Sequence, residues 1–290
     1  PLTTGLSNKT VQKAQAAAFE MYREEEYLPE TVRNYYDLEP VNTALREVHF
    51  PTGTEHLVEA EKRIMFHEFF RFFSALELVK DREEQALNHY IIPMEEPVKR
   101  FVENLPYPLT GAQKKVLNEI RQDFSDTMAM NRLLQGDVGS GKTIVAMTAM
   151  YAAVLAGYQA ALMAPTEVLA EQHYQNFVKL LSPLGITVAL LTGSTKAKEK
   201  REIKAACASG EIQILIGTHA VIQDDVAFDN LAFIVTDEQH RFGVKQRDAF
   251  MKKGKDPHVL VMSATPIPRT LALILYGDMD LSVIDERPAN

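Results

Sequence analysis

The chain has 290 residues, 46% of them hydrophobic and 24% charged, with a net charge of −8 at pH 7. That length and apolar fraction suit one large or two small globular domains with a buried core, and no run of about 18 apolar residues offers a membrane-spanning helix. The negative balance excludes a protein that coats nucleic acid indiscriminately with Lys and Arg, while leaving room for a local groove that grips a strand.

The opening Pro1-Leu2-Thr3-Thr4 has no basic flank and no signal-peptide core. It also lacks an initiator Met, so a processed chain or a piece of a longer protein is expected. The single cysteine, Cys207, allows no internal disulfide and no cysteine-cluster zinc site. That fits a reducing cytoplasm, with Cys207 expected as a small, half-buried residue.

In chain order, Val11 to Arg23 reads as a helix, Ala-rich around Ala14 to Ala18. Leu28-Pro29-Glu30 opens another, with Pro in its first turn. Thr54 to Lys80 is a long amphipathic helix carrying Leu57, Ala60, Ile64, Phe69, Phe73 and Leu76 near helical spacing. Its phenylalanines, from Phe66 to Phe73, are expected as a packed core face. Residues 1–104 thus form a mainly helical segment, and the texture changes near Leu105-Pro106-Tyr107-Pro108.

From 105 to 290 short apolar runs alternate with helical patterns. The runs are Arg132 to Gln135, Ala160 to Ala164, Thr187 to Leu191, Ile212 to Ile216, Leu231 to Val235 and Val259 to Met262. Helices are expected at Thr143 to Ala156, Glu167 to Leu181 and Thr195 to Ser209. This alternation predicts an α/β domain, a parallel sheet flanked by helices on both faces.

Gly136-Asp137-Val138-Gly139-Ser140-Gly141-Lys142-Thr143 fits a P-loop lying between an expected strand and an expected helix. Its glycines let backbone N–H groups close on phosphate oxygens, and the helix N-terminus adds a favourable dipole. Lys142 is expected to reach the β- and γ-phosphates of a nucleotide, and the Thr143 hydroxyl to bind Mg²⁺. Asp237-Glu238-Gln239-His240 follows the apolar run ending at Val235, at the ligand edge of such a sheet. Asp237 is expected to hold Mg²⁺ through water, and Glu238 to orient and deprotonate the attacking water.

These residues resemble the superfamily 2 helicases, in which Asp237 to His240 stands where the DEAD/DEAH box stands. Ser263-Ala264-Thr265 resembles the motif that couples ATP state to lobe movement. Ala164-Pro165-Thr166-Glu167, Leu191-Thr192-Gly193 and Gly217-Thr218-His219 resemble strand-contacting motifs. Leu109-Thr110 with Gln113 resembles the Q-motif, whose Gln reads the adenine edge. The runs Asp237 to Val244 and Met262 to Thr270, with Pro1 to Ser7 and His49-Phe50-Pro51, are similar to the RecG family of bacterial branched-DNA helicases. Transcription-repair coupling factors share Arg241-Phe242-Gly243-Val244 and are the nearest alternative.

The resemblance implies a RecA-like lobe that binds ATP and Mg²⁺ and acts on forked or junction DNA. It implies nucleotide contacts at Gln113, His240, Ser263 and Thr265 besides the P-loop, and nucleic-acid contacts at Pro165, Thr166, Thr192, Gly193, Thr218, His219 and Arg241. The family's second RecA-like lobe, with its arginine fingers, and its wedge domain have no counterpart in these 290 residues. Nucleotide binding without turnover is therefore expected of the chain alone. For His173 the default reading is a hydrogen-bonding surface residue, as it is for His219. The basic run Lys196 to Lys204 reads as a solvated helix face.

Overall fold

Apolar runs without alternation fold as strands covered on both faces, and the computed structural model places them so. It describes residues 7–80, 86–237, 250–264 and 279–287. The chain divides into two compact units, residues 1–82 and 83–290.

In the first unit, α1 (Asn8–Met21) is capped by the Ser7 hydroxyl, which accepts from the Thr10 N–H. α2 (Glu30–Tyr36) starts one residue after Pro29, which occupies the N-cap instead of the first turn. α3 (Val41–His49) and α4 (Thr54–Lys80) complete the unit. Its pin is Arg63, fully buried on α4, which donates to Glu26 Oε1 at 2.9 Å and to the Glu39 carbonyl at 3.1 Å. Burial works against the Glu26 carboxylate. Hydrogen bonds from Val41 and Leu28, with the Arg63 charge, prevail and hold its pKa below the usual range.

The phenylalanines of α4 depart from the expected core face. Phe69, Phe70 and Phe72 are 53%, 39% and 41% exposed, whereas Ala60 and Arg63 are buried. The rings pack on one another along the helix, Phe66 on Phe70 at 5.9 Å and Phe69 on Phe73 at 6.3 Å between centroids. Periodicity marks an apolar stripe but does not say what covers it.

The second unit begins ahead of the expected 104/105 boundary. Tyr90 and Ile92, with Val98 and Phe101 of α5 (Glu96–Glu103), join its main hydrophobic core. α6 (Gly111–Asp123) opens on a capping box between Thr110 and Gln113. The strands are β1 (Asn131–Gly136), β2 (Gln159–Met163), β3 (Val188–Leu191), β4 (Ile214–Gly217), β5 (Leu231–Asp237), β6 (His258–Ser263) and β7 (Asp280–Ile284). They form one sheet in the order β3-β4-β2-β5-β6-β1-β7, every pairing parallel. Helices α7 (Lys142–Leu155), α8 (Glu167–Leu181) and α9 (Ala197–Ala208) are crossovers between strands. All residues of α7 from Ile144 to Val154 are buried, so it is a core helix and not an amphipathic one. Cys207 is fully buried rather than half-buried, and desolvation pushes its thiol up to about 12.

Because all strands run the same way, the segments that follow them emerge at one edge of the sheet. The P-loop follows β1, Asp237 ends β5, Ser263 ends β6, Pro165-Thr166 follows β2, Thr192-Gly193 follows β3, and Thr218-His219 follows β4. Six stretches scattered through the sequence are brought to the carboxyl edge by topology alone.

Candidate nucleotide site and nucleic-acid edge

The P-loop owes its shape to positive φ at Gly139 (+82°) and Gly141 (+86°), a region costly for residues with a Cβ. Gly141 is constrained twice, since a Cβ there would stand 2.2 Å from Gln113 Nε2. The loop feeds directly into the N-terminus of α7, where Lys142 and Thr143 form the first turn. The Lys142 ammonium donates to the carbonyls of Gly136 at 2.6 Å and Asp137 at 3.0 Å, folded back over the loop a phosphate would enter. Ser140 is buried, and its hydroxyl has no hydrogen-bond partner among the described residues. Val138 is the exposed tip, at 83%.

Gln113, 1% exposed, spans two roles at once. Its amide oxygen accepts from the Thr110 N–H at 2.9 Å, and its Nε2 donates to the Ser140 carbonyl at 2.7 Å. The expected adenine-reading group thus also braces the P-loop from α6. A pocket of about 560 Å³ opens beside it, lined by Tyr107, Gln113, Gly141, Thr143, Asn176 and Lys179.

Asp237 is 8% exposed at the end of β5. His173 reaches it from α8, Nε2 to Oδ2 at 2.7 Å. This corrects the surface reading of His173, which is buried at 6%. The signal was in the spacing: Ala170 and Phe177, three residues before and four after, are buried on the same helix face. Glu238, His240, Arg241 and Thr265 lie outside the described residues. Ser263 is buried at the end of β6 and pairs in register with Gln135 of β1, beside the P-loop.

At the other half of the edge, side chains shape their own loops. The Thr166 hydroxyl caps α8 by accepting from the Leu169 N–H at 3.3 Å. Thr192 is buried, its hydroxyl 3.0 Å from that of Ser194. Ser194 in turn donates to Glu167 through its N–H at 3.0 Å and its hydroxyl at 2.7 Å. Those bonds, with the Gly193 N–H, hold the Glu167 carboxyl below the usual range. Gly193 is exposed and Pro165 half-exposed. Thr218 is buried at the N-cap of a short 3-10 turn, and His219 is exposed on it. On α9 the basic run is partly engaged: Lys200 donates to the Gly193 carbonyl at 2.7 Å, and Lys204 pairs with Asp225.

The donors fit a magnesium nucleotide. A glycine cradle at a helix N-terminus, a lysine, a hydroxyl and one carboxylate are the set that holds Mg²⁺ jointly with phosphates and water.

A P-loop and an acidic strand end at the carboxyl edge of a parallel sheet define a P-loop nucleotide-binding lobe of the RecA-like type. Residues 110–274 match the family described as DEAD/DEAH box helicase, and the chain belongs to that family. Among curated relatives, the chain is 51% identical over 263 residues to the ATP-dependent DNA helicase RecG of Bacillus subtilis, covering 90% of this chain and 39% of that protein. It is 48% identical over 293 residues to the RecG of Synechocystis, covering 99% and 35%. A solved structure of RecG bound to a three-way DNA junction superposes with a TM-score of 0.76 at 42% identity, covering all of this chain and 39% of that one. The chain therefore spans between a third and a half of the length of these relatives.

Proposed function

We propose that this chain is the ATP-binding motor lobe of a DNA helicase acting on branched DNA, in the manner named for its RecG relatives. The observation that carries the reading is the shared carboxyl edge. The P-loop, Asp237 and Ser263 occupy one half of it, and the Pro165-Thr166, Thr192-Gly193 and Thr218-His219 loops occupy the other. Nucleotide and strand then meet the same rigid sheet.

In this reading the backbone N–H groups of residues 139–143 receive the phosphates. Lys142 leaves the Gly136 and Asp137 carbonyls to meet them as a point charge. Thr143 and Asp237 hold Mg²⁺, which when bound neutralises charge on the phosphoryl group. Glu238 takes the proton of the attacking water. Strand contact falls to the exposed loops and to Arg241. Because the chain spans only part of its relatives' length, we assign turnover to the longer protein. An arginine finger supplied from elsewhere is worth about 10³–10⁵ in rate in P-loop enzymes.

Isothermal calorimetry with Mg²⁺–ADP tests the cradle. The chain binds and Lys142→Ala does not; equal affinity in the variant removes the phosphate-site reading. A coupled ATPase assay with forked DNA at low salt tests the division of labour. The chain alone is expected to show no DNA-stimulated turnover, and robust stimulation would mean that it supplies its own finger.

A further inference from the structure

The strand-contacting helix and the metal-binding carboxylate are joined by one hydrogen bond that no motif describes. His173 lies seven residues after Thr166 on α8, about two turns along. Its Nε2 stands 2.7 Å from Asp237 Oδ2, with both side chains buried. Its Nδ1 is also buried and has no hydrogen-bond partner among the described residues.

A carboxylate only accepts, so Nε2 carries the hydrogen. Nδ1 has no partner among the described residues, so the bond to Asp237 is the one they give the ring. His173 is thus an N–H donor to Asp237 held on α8. It fills one acceptor position of Oδ2 and leaves Oδ1 for metal-bound water.

We propose that His173 is a positioning residue that fixes the Asp237 carboxylate for Mg²⁺ and ties it to α8, the helix that begins at Pro165-Thr166. This rests on the reading of Asp237 as the magnesium-binding residue. Hydrogen-bond partners behind a metal-binding carboxylate typically govern metal affinity or activity by about 10–100-fold. The same bond links α8 to the end of β5.

The test uses the 290-residue chain and a fluorescent ADP analogue, titrated with Mg²⁺ or held in EDTA. His173→Ala and His173→Leu, which removes the donor but keeps bulk, are expected to raise the Mg²⁺ concentration for half-maximal tightening by about 10–100-fold. Binding in EDTA stays at the parent level. His173→Gln, a neutral N–H donor of similar reach, is expected to restore most of the Mg²⁺ response. Thermal melts followed by circular dichroism identify any variant that is not folded. An unchanged Mg²⁺ response in a folded Ala or Leu variant overturns the proposal, as does failure of a folded Gln variant to rescue. Asp237→Ala and Lys142→Ala separate the layers. If Asp237→Ala leaves the Mg²⁺ response intact, the carboxylate assignment has failed. If Lys142→Ala binds normally, the nucleotide site itself is elsewhere.

Discussion

At the amino edge of the sheet, Gln159 opens β2 with all four of its amide positions in use. It donates to the Cys207 and Ile212 carbonyls at 2.9 and 2.7 Å and accepts from the Asp229 and Asn230 N–H groups at 2.8 and 3.0 Å. His258 opens β6 and accepts from the Met130 N–H at 2.9 Å while donating to the Tyr90 carbonyl at 2.7 Å. At the carboxyl edge, Ser140 Oγ, His173 Nδ1 and Thr236 Oγ1 are buried with no partner among the described residues. Buried polar atoms are ordinarily paired. The Gln159 and His258 side chains therefore close their hydrogen bonds within the described residues and serve stability. The three carboxyl-edge atoms find no partner among the described residues and lie at the edge proposed for nucleotide. Substitutions at the two edges should separate cleanly into losses of folding and losses of chemistry.

The largest effect is expected at the carboxyl edge. In the longer protein Glu238→Gln should retain nucleotide affinity and lose about 10²–10⁴ in hydrolysis rate, the usual contribution of a general base. Single-turnover kinetics and urea unfolding, measured together, check that rate falls while the unfolding midpoint holds. An unimpaired rate would assign the base to another residue.

At the amino edge Gln159→Leu should do the reverse. Each buried backbone group left unpaired costs about 1–3 kcal/mol, so a loss of at least roughly 3 kcal/mol in unfolding free energy is expected. Nucleotide affinity of the still-folded fraction should be unchanged. A wild-type urea midpoint would show that the four bonds are replaced by water and that the edge is less closed than its geometry suggests.

A smaller effect comes from His258, whose pKa is lowered by burial against the opposing pull of its bond to Tyr90. The depressed folded value fixes the sign. Above the unfolded value of about 6.5 both states are neutral and stability is fully present. As pH falls below it, the unfolded chain binds a proton that the folded chain resists, and stability drains away until the folded pKa is reached. The urea midpoint should drop as pH falls below about 6.5, and His258→Gln should flatten that slope. An equal slope in the variant would place the acid sensitivity in other groups.

Much of this molecule is legible from residue order. α4 and α8 run over the expected ranges, and each apolar run from Arg132 to Met262 seeds a strand within two residues of its observed bounds. Where the reading failed, side-chain chemistry ran against local pattern. β7 is invisible because its buried positions include Ser282, which takes the Arg132 guanidinium at 2.9 Å, while Val283 is 45% exposed. Its hydropathy is inverted by a polar contact to β1. α6 hides because its buried face includes Gln113. The second unit starts at 83 because Tyr90 and Ile92 find their core in a sheet that begins some forty residues later.

The sequence by itself determined the glycine loop between β1 and α7, whose spacing and following helix are local properties, and the alternation that makes a parallel sheet. It determined that Asp237 ends a buried strand. Only the tertiary structure decided the strand order and the pairings it creates: Gln113 with the P-loop carbonyl of Ser140, and His173 with Asp237. Those partners are 27 and 64 residues apart. No local periodicity encodes such contacts. They arise because parallel strands send every crossover back to the same edge, so residues remote in the chain meet where the strands end.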